Sequence, residues 1–265
     1  MSIQHRTTHS GDGVRIAYSI SGAASPALVF IHGGLADRTF WDGQHAPFSQ
    51  RFKVIALDLA GHGESGNNRR EWGMLPFAGD VTAVIEAEKA REVILVGNSL
   101  GGAVALEAAV LLAKRTLGVV GVDTFHDLTR RMEAAAMQEQ AKAWAADFNG
   151  SLDNMLWSLF HSDVPPALLE DVRQRMSQTS REAVVSMFSS FAGYDTSAPA
   201  KQLRVPVWCI NGDLFRTNVQ ANRGLGIDFD AYILPHTGHF PMLECPVQFN
   251  RTLKEVVASI IRMRS

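Results

Sequence analysis

Residues 92–105 read Glu92-Val93-Ile94-Leu95-Val96-Gly97-Asn98-Ser99-Leu100-Gly101-Gly102-Ala103-Val104-Ala105. Val93 to Val96 is a short, wholly apolar, mostly β-branched run, the pattern of a strand buried on both faces. From Leu100 the sequence becomes Ala- and Leu-rich and suits a helix. Between the two lies a serine with glycine two positions to either side. A serine on so sharp a strand-to-helix turn needs small neighbours, because the backbone nearly folds onto itself. Such a turn lifts the Ser99 hydroxyl above the sheet edge. It also aims the Leu100 N–H, at a helix start, toward any negative charge developing there. The bare G-x-S-x-G pattern is a weak signal that also occurs in structural turns; the strand before it and the helix after it give this one its weight.

Similar apolar runs recur at residues 27–31, 53–57, 119–122, 205–210 and 231–234, and 14–19 alternates as an antiparallel edge strand would. Helical patterns fall at 39–49, 76–90, 100–112 and 247–263. Alternating strands and helices predict an α/β fold with a mostly parallel, doubly wound sheet. One stretch breaks the rhythm. Residues 124–200 contain no buried-strand run but four helical patterns, near 128–147, 152–161, 166–178 and 181–191. An insertion of this length is too long for a bare loop. It is expected to be a helical cap (lid) over the sheet's C-terminal edge, inserted before the penultimate strand, where ligands of open α/β sheets bind. That divides the chain into a core, residues 1–123 and 201–265, and a cap, residues 124–200. Trp144, Phe148, Trp157, Phe160, Met187, Phe188 and Phe191 either line an apolar pocket or hold the cap together, and for any one of them the second role is the more economical.

Composition narrows the class. The 265 residues carry 25 Lys+Arg against 27 Asp+Glu, a net charge of −2, so no basic face for nucleic acid is expected. The insertion itself holds ten acidic and six basic residues, a poor phosphate trap. No apolar run is long enough to span a bilayer, and residues 1–6 lack the apolar stretch of a secretory signal. The two cysteines, Cys209 and Cys245, are expected to be reduced thiols of a cytoplasmic protein, monomer or homodimer. No cofactor and no metal is expected, and the absence of an HExxH helix argues against a metal site built with His239.

Two further motifs carry chemistry. Ile31-His32-Gly33-Gly34 closes a predicted strand with a glycine-rich turn, whose main-chain N–H at Gly34 can converge with that of Leu100. Two convergent donors at an oxyanion are worth on the order of 3 kcal/mol of barrier each. The His32 side chain is read as structural, tying adjacent loops. Gly238-His239 follows the last predicted strand, and a loop histidine there can reach both a nucleophile and a leaving group. His236 competes with it; its bland reading is a solvent histidine.

Taken in order, Ile31-His32-Gly33-Gly34 with Trp41, Asp58 to Ser65, Gly97-Asn98-Ser99-Leu100-Gly101-Gly102, and Gly238-His239 with Glu244 and Pro246 resemble the α/β-hydrolase superfamily, in its capped branch. The resemblance implies Ser99 as nucleophile, His239 as base, and Gly34 and Leu100 as oxyanion donors. The 58–65 segment resembles the family's structural turn and receives no catalytic role. The third partner, an acid, has two candidates. The commoner family position follows the 205–210 strand, where the chain reads Asn211-Gly212-Asp213 and the site three residues past the glycine holds Phe215. The other is Asp123, at the rigid end of the preceding buried strand. Rigid placement favours Asp123. The expected activity is hydrolysis of a carboxylic ester of a small to medium, largely apolar substrate through an acyl-enzyme. The same residues would serve a carbon–carbon bond hydrolase or lactonase, and the fold would also serve a slow-turnover ligand receptor.

Overall fold

The computed structural model describes residues 2–131 and 133–263. Eight strands form a single sheet: β1 (Gln4–His9), β2 (Arg15–Ser21), β3 (Ala27–Ile31), β4 (Lys53–Leu57), β5 (Val93–Asn98), β6 (Thr116–Val122), β7 (Val207–Gly212) and β8 (Phe229–Leu234). Their spatial order is β1-β2-β4-β3-β5-β6-β7-β8. β1 and β2 pair antiparallel, as do β2 and β4; every pairing from β4 to β8 is parallel. All residues of β3, β5 and β6 are buried, which is why their sequences are nearly all apolar rather than alternating.

Helices cover both faces. α2 (Met74–Ala87) packs on α3 (Leu100–Leu112), while α1 (Asp42–Phe48) packs on α11 (Pro246–Arg262). α11 shows how sequence sets this packing. Phe249, Leu253, Val256, Val257 and Ile260 form one stripe and are all buried, against β6, β7 and β8. Burial of each such side chain contributes about 1.5–3 kcal/mol. Gly118 of β6 permits the approach, since a Cβ there would sit 2.9 Å from Ile260 Cδ1.

The β6–β7 connection carries α4 (Ala134–Ala146), α5 (Phe148–Leu159), α6 (Pro166–Met176), α7 (Arg181–Ser190) and a short α8 (Ser197–Gln202). Two more short helices, α9 (Val219–Arg223) and α10 (Pro241–Glu244), follow β7 and β8. The inserted helices have an apolar centre of their own: Trp144 stacks on Phe188 at 5.6 Å and meets Phe148 edge-on at 5.3 Å. Asp147 caps α5 by accepting the Gly150 N–H at 2.9 Å.

Several expectations are corrected at the boundaries. The strand expected at 14–19 is antiparallel, but β1 lies outside it and forms the edge. The helix expected from 128 begins at Ala134, residue 132 of that span lying outside the described residues. The helix expected at 39–49 is a 3₁₀ turn, Arg38–Trp41, followed by α1. Among the described residues no helix is long and apolar enough to cross a membrane.

Candidate active site

Ser99 sits between β5 and α3 with φ 52° and ψ −117°, a conformation costly for any residue but glycine. The neighbours explain how it persists. A Cβ on Gly97 would lie 2.1 Å from Gly101 O, and one on Gly101 would lie 2.4 Å from Ile31 O. No other residue fits at either position. The Ser99 N–H donates to Val122 O at 3.1 Å and its carbonyl accepts the Gly102 N–H at 3.0 Å, so the turn is bonded on both sides.

Asp123 occupies the equivalent place one strand over. Its N–H extends the β6–β7 ladder by donating to Ile210 O at 3.1 Å, and its φ of 43° turns the chain away from the sheet. The side chain is fully buried. Oδ2 lies 2.6 Å from His239 Nδ1, and Oδ1 accepts the Gly212 N–H at 3.1 Å. Burial pushes the carboxyl pKa up, but contacts with His126 and His239 outweigh it and hold the group well below the usual carboxylate range. It remains an acceptor through the working pH range.

His239 lies in the loop between β8 and α10. Glu244 clamps that loop from both sides, Oε2 accepting the Gly238 N–H and Oε1 the Phe240 N–H, each at 2.8 Å. Burial raises the Glu244 pKa while these two donors lower it. Asn98 holds the loop from beneath, its amide donating to His239 O at 3.0 Å and to Val122 O at 2.9 Å. From the inserted helices, Leu159 O accepts the His239 N–H at 2.8 Å. Gly212 lets the loop lie directly on the end of β7, because a Cβ there would sit 2.0 Å from Thr237 O.

Gly34 and Leu100 face one another across the same corner. A Cβ on Gly34 would be 4.0 Å from Leu100 Cδ2 and 3.1 Å from Met187 Cε. Among the described residues, no turn or loop hydrogen bond engages the N–H of either. His32 turns away from this point. Its Nδ1 donates to Gly33 O at 2.7 Å and its Nε2 accepts the Leu59 N–H at 3.0 Å, and burial lowers its pKa to about 4. It is a neutral tie between loops. The 58–65 turn is likewise a structural tie: Asp58 accepts the N–H groups of Arg38 and Glu64 and pairs with the Arg38 guanidinium.

Ser99, His239, Asp123, Gly34 and Leu100 all line one cavity of about 1580 Å³, walled on its far side by the inserted helices. Each of α4 to α7 contributes one methionine to that wall: Met137, Met155, Met176 and Met187. Of the aromatic candidates, Phe188 and Phe191 line the cavity. Trp144 and Phe148 are buried in the insertion, Phe160 packs on Phe240, and Trp157 is exposed. Asp213 is not brought to His239. Its carboxylate accepts the His236 and Thr237 N–H groups at 2.8 and 3.2 Å and contacts His161 Nε2 at 2.9 Å. His236 points to Asp163, 2.8 Å away. Four residues at the site escape the sequence reading of roles: Asn98, His126, Asn211 and Glu244. Glu244 and Asn98 stand inside recognisable motifs, and His126 lies three residues past Asp123; only their partners, which depend on the fold, reveal what they do.

The comparisons agree with this fold. An uncharacterized protein of Mycobacterium tuberculosis is 40% identical over 108 residues, which are 41% of this chain but only 30% of that protein. The pimeloyl-[acyl-carrier protein] methyl ester esterase of Nitrosomonas europaea is 27% identical over 241 residues, 84% of this chain and 92% of the relative. A thermophilic esterase from Thermogutta terrifontis has the same fold, with a TM-score of 0.84 at 22% identity over 97% of this chain and 99% of that one. Residues 28–252 match the alpha/beta hydrolase family, and the chain, with its mostly parallel sheet and its serine turn between β5 and α3, belongs to that family.

Proposed function

We propose that this hydrolase cleaves carboxylic esters of small to medium, largely apolar substrates through an acyl-enzyme. The observation that carries the reading is the 2.6 Å contact of His239 Nδ1 with Asp123 Oδ2, in the wall of the cavity that Ser99 enters from its strained turn. Asp123 fixes the His239 tautomer with the proton on Nδ1, leaving Nε2 free as a base. His239 then takes the Ser99 proton as Oγ attacks the ester carbonyl. The tetrahedral oxyanion is met by the Gly34 and Leu100 N–H groups. Collapse breaks the bond to the alkoxy group, which leaves with the proton from His239; water, activated by the same imidazole, releases the acid. Residues 124–200 act as a cap over the core of 1–123 and 201–265, shielding the reaction from bulk water. Similarity to the Nitrosomonas europaea methyl ester esterase over most of both chains supports ester chemistry.

A fluorophosphonate probe should label Ser99, and short p-nitrophenyl esters should be hydrolysed by the wild type but not by Ser99→Ala. A folded wild type that neither labels nor turns over rejects the reading. A panel adding lactones and vinylogous diketones separates ester hydrolysis from the other cleavages the same three residues support. Turnover above roughly 1 s⁻¹ argues against a receptor role.

A further inference from the structure

A second imidazole stands beside the Asp123–His239 contact. His126 places Nε2 3.6 Å from Asp123 Oδ1, the carboxylate oxygen that His239 leaves free. Its other nitrogen, Nδ1, lies 3.3 Å from Thr217 Oγ1 and 3.4 Å from Asn211 Nδ2. The orientation of Asn211 is fixed by its surroundings. This fully buried side chain accepts the Thr124 N–H at 3.1 Å through Oδ1 and donates through Nδ2 to Thr124 O and Thr217 Oγ1, both at 2.9 Å. An amide nitrogen can only donate. The Thr217 oxygen, already accepting from Asn211, has its own proton left for His126. Asn211 spends both amide hydrogens on Thr124 O and Thr217 Oγ1, so the Thr217 hydroxyl is the group that donates to Nδ1. Nε2 faces a carboxylate oxygen, which only accepts, and so it is Nε2 that carries the hydrogen.

We infer that His126 is a positioning residue for the reaction: as the Nε2–H tautomer it holds Oδ1 of Asp123, together with the Gly212 N–H, so that Oδ2 stays on His239. The inference rests on the ester-hydrolase reading of Ser99, His239 and Asp123. At 3.6 Å the contact is longer than a hydrogen bond, and such contacts commonly tighten only when substrate is bound. His126 is placed for that. Its ring forms part of the cavity wall, edge-on to Phe215 at 5.7 Å, so a substrate packed on this wall presses it toward Asp123. A neutral donor on Oδ1 also draws charge from the carboxylate. Its loss would leave more of that charge on Oδ2, facing the imidazolium formed during attack. The other titratable groups about the cluster are Glu244, beneath the His239 loop; Cys209, whose buried thiol lies 3.4 Å from Thr124 O; and Asp127, bonded to Thr129 and Asn218. None of them changes in the variants below.

His126→Ala should lower kcat on the order of 10–100-fold, the cost of losing an outer partner of a working side chain, with KM near the wild-type value. The acid limb of its pH–rate profile should move to higher pH. His126→Gln, whose amide nitrogen reaches the place of Nε2, should recover most of both. In wild type, ¹⁵N-labelled histidine should report His126 protonated on Nε2, with the Gln variant assigning the signal. Unchanged kcat and acid limb in His126→Ala overturn the inference. So does equal impairment of the Ala and Gln variants with an unmoved acid limb, or an Nδ1–H tautomer in wild type. Should the Ala variant not fold, the Gln variant and the tautomer decide. Fluorophosphonate labelling of Ser99 tests the underlying reading separately, so a labelled, active wild type alongside an unaffected His126→Ala rejects only the role of His126.

Discussion

At the scale of single residues, Asp123 and Asp213 differ in what their oxygens already hold. Asp213 is half exposed, and its bonds go to the turn after β8 and to His161; Asp123 is buried and gives one oxygen to His239. Asp123→Asn puts an amide where a carboxylate must accept the His239 Nδ1–H, and should cost on the order of 10³–10⁴ in kcat with the fold retained. Asp213→Asn should leave kcat within a few-fold of wild type. Steady-state kinetics with a p-nitrophenyl ester compares the two, and the reverse ranking transfers the role to Asp213. Much of this site is legible in the sequence, because Ser99 and His239 stand in short motifs whose residue types follow from local backbone needs. Asp123 is legible more faintly, as a carboxylate at the rigid end of a buried strand. Roles that exist only across the fold are not legible. Glu244 clamps the His239 loop and Asn98 supports it from a different strand, and no spacing encodes either bond.

At the scale of elements, the ends of β5, β6 and β7 act as a single platform, and Gly212 is the point where the His239 loop rests on it. Gly212→Ala would set a methyl group 2.0 Å from Thr237 O and lift the loop. Overpacking of this kind costs about 1–3 kcal/mol. The variant should keep its far-UV circular dichroism, melt earlier and lose at least about tenfold in turnover, since a small misplacement of the base is expensive. Wild-type turnover would show that the loop does not depend on this contact. The same platform explains what could be read of the fold beforehand. β3, β5 and β6 are wholly buried and therefore read as apolar runs, broken only at their ends by Asn98 and Thr116. β1 is polar and almost fully exposed, held by its ladder to β2 rather than by side chains, so no hydrophobic pattern marks it. The 128–131 segment looks helical by composition, yet the chain stays irregular there as Asn222 takes the Leu128 N–H at 2.8 Å.

At the scale of the whole molecule, three buried histidines tie stability to pH. Burial lowers His32 and His45 to about 4 and His62 to about 3, whereas an unfolded chain protonates its histidines near 6.5. As pH falls from about 6.5 toward 4, the unfolded state takes up protons that the folded state refuses. Each histidine then removes up to about 1.4 kcal/mol of stability per pH unit. Asp80, raised by burial to about 6, works in the opposite direction over the lower part of that window, as a carboxyl that binds its proton earlier when folded. The clean measurement is therefore a difference. His45 is held by the hydroxyls of Ser19 and Ser21, and a His45→Gln variant should show a shallower fall of urea-unfolding free energy between pH 6.5 and 4.5 than wild type. Parallel profiles would mean that His45 is not neutral in the fold. A last consequence follows from the cavity wall, where four successive helices each present one thioether. Peroxide converts a thioether to a sulfoxide, turning a soft apolar contact into a larger polar one. Met187, buried and packed against Gly34, matters most among these, because swelling there displaces the loop proposed to meet the oxyanion. Mild oxidation should therefore silence turnover before it unfolds the chain, methionine sulfoxide reductase should restore it, and Met187→Leu should resist. Inactivation with Met187 still unmodified by mass spectrometry would place the sensitivity elsewhere.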